Sequence, residues 1–290
     1  VKSQIDSGDT LIVRHMDFNL NKSVPKYMIK DSCMLSSMLY FLSSIFPPGE
    51  AYFIRSVQAF YDDLTDDSLK EQVKAFISQE VQHGKQHRNI NSIIEKNTGF
   101  KTSKVSKRTE WGTRLQTKRK SKASNLATTV ALEHFTAILG AHFLRNDALR
   151  QNMHPDMLNI MTWHAIEEIE HKSVAFEVYQ ATVKKPGLLK WSATVATVQL
   201  LLHGAFTSLF HTAKEGRLFS FNEWKTTWRF VIGRDGVLRQ IWPDFIRIYK
   251  AGFTPEEVDD SELKQQWQEH VNAHVRKRRV KDNTTNTFEG

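Results

Sequence analysis

The sequence predicts an all-α fold, a four-helix bundle with additional C-terminal helices. Proline and glycine are scarce, seven and thirteen among 290 residues, so few positions break a helix. Apolar residues recur every three or four positions through long stretches, whereas Val, Ile and Thr alternate only in short runs. Glutamate and histidine recur together at helical spacing in two separate places, which puts both residue types on one face of each helix. Hydrophobic residues make up 40% of the chain, enough to fill the core that such a bundle needs.

Residues 1–30 read as an extended lead-in segment crossing the bundle, with apolar positions spaced along Leu11–Phe18 and no catalytic role. Asp31 or Ser32 is placed to N-cap a first helix through Met34, Leu35, Met38, Leu39 and Phe41 towards Phe46. Pro47-Pro48-Gly49 is expected to interrupt it, because proline lacks the N–H a helix interior requires. Glu50 then opens a new helix over Ala51–Leu64, in a first turn where the helix dipole favours a carboxylate. Asp66-Asp67-Ser68 caps the next helix, which runs from Leu69 through Glu80, His83 and His87 until Asn97-Thr98-Gly99 stops it.

The formal charge of +8 is concentrated in residues 101–122 and in Arg276–Lys281. The first run carries one aromatic residue, Trp111, and no series on which bases could stack, so nucleic acid is not an expected partner. It reads as a solvated, partly mobile basic linker, with docking on anionic lipid or an acidic ligand as the alternative. Ser124 or Asn125 starts the following helix, which holds Glu133 among Leu126, Val130, Ala137 and Leu144. Asn152–Asp156 turns the chain into the helix of Trp163–Phe176. Trp191–Phe210 has no charged residue for twenty positions, but Ser192, Thr194, Thr197, Gln199 and His203 make it a poor membrane span and a better buried or interfacial helix. Residues 31–260 thus form one helical metal-binding domain, and 261–290 end a helix and continue as a polar tail, disordered from Arg276.

Within Trp163–Phe176, His164, Glu168 and His171 fall at i, i+4 and i+7 and share one helix face. One Glu-x-x-His pair is common on solvated surfaces. Here Glu168-x-x-His171 is matched by Glu80-x-x-His83, and a lone Glu precedes each, Glu50 by thirty residues and Glu133 by thirty-five. Two helices giving one Glu each and two giving Glu-x-x-His is the ligand set of ferritin-like di-iron and di-manganese carboxylate proteins. The expected ligands are therefore Glu50, Glu80, His83, Glu133, Glu168 and His171. Glu50 and His83 would hold one ion, Glu133 and His171 the other, with Glu80 and Glu168 bridging. His87 and His164 are either further ligands or orienting partners of the carboxylates. Glu167 rivals Glu168, since it lies one turn from both His164 and His171. The carboxylate-rich set suits two ions of iron first, with manganese or zinc as alternatives.

Four elements taken together resemble the bacterial family of predicted metal-dependent hydrolases. They are Phe46-Pro-Pro-Gly-Glu50, Gln79-Glu80-x-x-His83-x-x-x-His87, Leu132-Glu133-His134-x-Thr136, and Trp163-His164-Ala165-x-Glu167-Glu168-x-Glu170-His171-Lys172. The likeness extends over roughly residues 10–260 and includes Tyr249-x-x-Gly-Phe-x-Pro255, where Thr254 stands in place of an expected histidine. It implies a ferritin-like helical domain with a bound metal centre.

The first functional expectation is a di-iron enzyme that activates dioxygen to oxidise a small apolar substrate, walled in by Trp191–Phe210. The alternative is a two-metal hydrolase of an ester, amide or phosphate, with His134 or Glu170 as acid/base candidates. A non-enzymatic metal-binding protein is the second alternative. No G-x-G-x-x-G or G-x-x-x-x-G-K loop and no Ser/His/Asp set is evident, so nucleotide-dependent and serine-nucleophile chemistry are not expected. A single cysteine, Cys33, and no signal- or transit-peptide pattern fit a reducing, cytoplasmic setting. Peripheral membrane contact through 101–122 or 191–210 and a homodimer stay open as partner expectations.

Overall fold

A computed structural model describes residues 11–29 and 32–275. Part of the lead-in segment, Asp31 as a capping candidate, and the tail from Arg276 lie outside the described residues. The described residues form helices and no strand, apart from the isolated bridges Met16 with Val275 and Ile29 with Met153. In order, α1 spans Cys33–Gln58, α2 Asp67–Thr98, α3 Thr102–Arg119, α4 Lys122–Arg145, α5 Asp147–Gln151 and α6 Pro155–Glu170. The chain continues with α7 at Val174–Thr182, α8 at Pro186–Lys214, α9 at Phe221–Val231, α10 at Val237–Phe245 and α11 at Ser261–Asn272. The caps follow side-chain chemistry. Ser32 accepts from the Leu35 N–H, Asp66 accepts from Ser68 and Leu69, and Gly99 ends α2 at φ 78°, a left-handed conformation that glycine adopts without a Cβ clash.

Pro47 and Pro48 do not end α1, contrary to the expectation from sequence. Glu50 therefore sits in the interior of a long helix rather than in a first turn. Each proline leaves the carbonyl four residues earlier without its helical donor, namely those of Ser43 and Ser44. Both are satisfied from neighbouring helices: Asn91 Nδ2 of α2 donates to Ser43 O at 2.8 Å, and Ser106 Oγ of α3 donates to Ser44 O. The basic stretch expected as a linker is likewise a helix, α3, laid along α1 with most of its side chains in solvent. The helix of Trp163–Phe176 is interrupted instead, with α6 ending at Glu170 and a turn at His171–Ser173 preceding α7.

Helices α1, α2, α4 and α6 surround the centre, with α1 against α2 and α4 against α6 as the main pairs, and α8 closing over α1 and α4. At the α4–α6 crossing, a Cβ on Gly140 would meet the backbone of Ala165 at 3.1 Å, so the close approach depends on glycine there. Two large apolar clusters fill the bundle, and a smaller one joins α4 to α10. The first large cluster holds Leu39, Tyr40, Ile90, Leu144, Met157 and Trp163, and the second holds Tyr52, Val57, Phe76, Leu126, Val130 and Val174. Helices α1, α2 and α4 contribute to both, α6 to the first and α7 to the second, and a layer of buried Glu and His side chains lies where α1, α2, α4 and α6 come together. That layer contains every expected ligand.

Asn91→Ala is expected to cost about 1–3 kcal/mol of stability, because it strands the buried Ser43 carbonyl. Urea unfolding with an unchanged m-value checks this, and an unaltered midpoint would show that the proline carbonyls do not need their partners.

Candidate metal centre

The polar layer draws Glu50 from α1, Glu80, His83 and His87 from α2, Glu133 from α4, and His164, Glu167 and Glu168 from α6, with His171 as the residue that caps α6. All nine are buried. Gly84 makes room for one of them, since a Cβ there would lie 2.9 Å from Glu50 Oε2.

The layer contains two groups whose candidate ligand atoms lie within 4.8 Å of one another: Glu80, His83, Glu168 and His171 in one, and Glu50, His87 and His164 in the other. In the first, His171 Nε2 is 3.3 Å from Glu80 Oε1, and His83 Nδ1 is 3.7 Å from Glu168 Oε1 and 4.0 Å from Glu80 Oε2. In the second, the two imidazoles meet at 2.7 Å between His87 Nε2 and His164 Nδ1. Glu168 Oε1 joins the groups, being 2.8 Å from His164 Nε2. This corrects the pairing expected from spacing. Glu50 sits with His87 and His164 rather than with His83, and Glu133 contacts His171 Nδ1 at 3.0 Å outside either group. Periodicity could not show this, because it ranks residues along one helix and says nothing of which neighbour they face.

Glu167 and Glu168, the two rivals from sequence, point their side chains in different directions. Glu167 lies behind His83, with Oε2 3.0 Å from Nε2, and is held from the other side by Arg14 Nη1 at 3.1 Å. A carboxylate on the far nitrogen of an imidazole fixes its tautomer and turns the near nitrogen, here Nδ1, towards the centre. Arg14 also forms a two-pronged pair with Glu170, at 2.8 and 2.7 Å. Glu170 is therefore a brace for Arg14 and not an acid/base group at the centre. His134 does not face the centre either; its Nε2 meets the Asp244 carbonyl at 3.2 Å and its ring packs on Phe253.

Sequence reasoning missed Arg14 and Thr136. The signal for Arg14 was its phase: Arg14, Met16 and Phe18 are buried while His15 and Asp17 are exposed, as in an extended segment with one inward edge. A charge on that edge calls for a buried partner. Thr136 donates from Oγ1 to Glu168 Oε2 and stands one turn from Glu133 on α4. Ser43 completes the surround, its hydroxyl bonded to Asn91 Oδ1 and lying 2.9 Å from His87 Nδ1, so the proline-bearing turn of α1 also orients a histidine of the second group.

The chemistry of these donors fits a metal. Both oxygens of Glu50, both of Glu80, Glu133 Oε1, His83 Nδ1 and His171 Nε2 are buried without a hydrogen-bond partner. Burial and neighbouring carboxylates hold Glu50 and Glu80 well above the usual carboxylate range and push Glu133 up to about 7. Burial also pushes Glu167 up to about 8, against the pull of Arg14. Desolvation lowers His83 and His87 well below the ordinary imidazole value, leaving them neutral as ligands must be. Burial opposes charge on Glu168 too, but His164, His171 and Thr136 together outweigh this and hold it below the usual carboxylate range. Divalent ions would relieve the repulsion among these carboxylates and use the idle lone pairs.

A helical core holding two buried carboxylate and imidazole groups defines an all-α, metal-dependent class of protein. The chain belongs to the family described as predicted metal-dependent hydrolase, whose model matches residues 12–259. No curated protein and no solved structure matches it.

Glu80→Gln is expected to act with opposite sign in the two states of the protein. Without metal it removes a carboxyl whose charged form is opposed by burial and by its neighbours, and should raise the thermal midpoint by about 2–4 °C, roughly 1 kcal/mol for a chain of this size; with metal it should lower both occupancy and midpoint. Scanning calorimetry with metal analysis tests it, and full occupancy in the variant would remove Glu80 from the ligand set. The raised carboxylates also set a pH trend. Their protonated forms stabilise the metal-free fold below the unfolded value of 4.5, and that stability is lost as pH rises through the folded value, about 7 for Glu133. The chelated protein should lose thermal stability between these values, less steeply in Glu80→Gln, and a midpoint rising over this range would contradict the assignment.

Proposed function

We propose that this chain is a two-metal hydrolase that cleaves an ester or amide carrying an apolar chain. The observation that carries the reading is a cavity of about 430 Å³ whose inner end is formed by Phe46, Thr136, His164 and Glu168. The rest of its wall is almost wholly apolar, with Met38, Leu39, Phe143, Met161, Leu200 and Leu238 among its residues. An acyl or alkyl chain fits the wall, and its carboxyl-derived end would then lie beside the metal groups.

Dioxygen activation, the first expectation from sequence, yields here to hydrolysis. The family description favours it, and so does an adjoining cavity of about 200 Å³ whose wall includes Glu50 and Glu168. Its wall mixes Phe and Leu with Thr109, Thr113, Gln116, Thr128 and His203, which makes it the better route for water. Bound in the two groups, divalent ions would supply Lewis acidity and lower the pKa of water. The chain's own residues do the remainder. The apolar wall binds the substrate and excludes solvent from its chain. Thr136 fixes Glu168, and His164 and Glu168 hold each other in place at this end of the cavity. Arg14 and Glu167 keep His83 turned inward.

The test uses protein purified without chelator, analysed for metal and assayed with p-nitrophenyl esters and anilides of increasing acyl length, alongside oxygen uptake of the reduced protein. Metal-dependent hydrolysis that improves with chain length and stops on chelation is expected. Ala205→Trp, which narrows the cavity wall, should reduce kcat/KM on long chains by about tenfold or more and spare short ones at unchanged metal content. Oxygen consumption coupled to substrate oxidation, with no hydrolysis, would return the oxidative reading to first place.

A further inference from the structure

Helix α8 is amphipathic in the reverse of the usual sense. The face it packs on α1 and α4 carries Ser192, Ala193, Ala196, Thr197, Gly204, Ser208 and Thr212. Its outer face carries Trp191, Val198, Leu202, Phe206 and Phe210, with Phe206 63% exposed. Helix α9 repeats the device on a shorter scale, exposing Phe221, Trp224 and Trp228 at i, i+3 and i+7, with Lys225 and Arg229 beside them. Four of the chain's seven tryptophans, Trp191, Trp224, Trp228 and Trp242, are exposed between residues 186 and 250. Soluble surfaces rarely gather so much apolar area without something to cover it.

The same span carries nine Lys and Arg against four Asp and Glu. The acids are mostly engaged: Glu223 is buried on the start of α1, Glu215 pairs with Lys26, and Asp244 pairs with Arg247. Lys225, Arg229, Arg234 and Arg239 are exposed and make no ion pair among the described residues. Exposed tryptophan with interleaved cations is the composition of helices that lie in the interface of an anionic bilayer.

We infer that the α8–α9–α10 face docks on an anionic phospholipid surface and that the apolar cavity opens into it. Leu201, Ala205 and Ile232 line the cavity and are also exposed, so its mouth lies between α8 and the α9–α10 pair, with both apolar stripes beside it. A substrate with an apolar chain would pass from the bilayer to the inner cavity end without crossing water; this delivery step rests on the function proposed above, whereas the docking does not. Two other occupants fit less well. A second copy across a two-fold axis would set Lys225, Arg229, Arg234 and Arg239 against themselves. A membrane span is compatible with the length and composition of α8, but it would pull the Ser- and Thr-rich face of α8 from α1 and α4.

The full chain, with its metal, is centrifuged with vesicles of phosphatidylcholine alone and of phosphatidylcholine with phosphatidylglycerol, without substrate. Binding to the anionic vesicles, weakened by salt, is expected. It should fall about tenfold or more in Trp224→Ser/Trp228→Ser and in Arg229→Glu/Arg234→Glu, with circular dichroism and metal content unchanged. Quenching of wild-type tryptophan emission by brominated lipid chains should follow binding and needs no variant. Failure to bind either vesicle overturns the proposal, as does resistance to alkaline carbonate, which would mark a span. A concentration-dependent dimer that the tryptophan variants dissolve would assign the face to a second copy and overturn it too. Vesicle binding without esterase or amidase activity would uphold docking and remove only the hydrolytic reading.

Discussion

Several carboxylates held in the middle of an apolar bundle repel one another and lack water, and most of the structure is organised around that constraint. The layer that contains Glu50, Glu80, Glu133 and Glu168 is built from the same helices that supply the apolar clusters, so each central helix carries both core and ligand chemistry. A metal-free layer of this kind is a weak point in stability, since buried charge without a counter-charge is among the costliest things a fold can hold. The idle oxygens of Glu50 and Glu80 and the inward nitrogen of His83 mark where counter-charge is needed.

The residues around this layer act by aiming it. Arg14 and Glu167 set His83; Ser43 and Asn91 set His87; Thr136 and His164 set Glu168. The double proline belongs to the same support. It breaks a local rule of helix construction, and the carbonyl it frees on Ser43 recruits Asn91, which in turn holds the Ser43 hydroxyl beside His87. Local sequence preference and global structure disagree at the site, as they tend to do where function requires it.

The outer layer works on the opposite principle. The core needs polar groups satisfied, whereas α8 and α9 leave apolar groups unsatisfied on the surface, next to the mouth of the cavity. A polar inner seam lets α8 lie on the bundle without using its apolar stripe. That stripe is then left for something outside the chain, and the neighbouring cations favour an anionic surface over another basic protein face.

The all-α fold, the caps at Ser32, Asp66 and Gly99, and the residues that form the polar layer were determined by local sequence, because helix periodicity, side-chain capping and ligand type act within a few residues. Only the tertiary structure decided how those residues combine. The continuity of α1 through Pro47 and Pro48 depends on donors from α2 and α3 that lie far along the chain. The folding of 102–119 into a helix depends on the side of α1 it rests on. Glu167 and Glu168 differ by one position and by about 100° around the helix, so one faces Arg14 and the other faces the centre. The partnership of Glu50 with His87 and His164 depends on how α1, α2 and α6 are rotated about their own axes. Spacing along one helix carries no information on that rotation, which is set by packing contacts among helices distant in sequence.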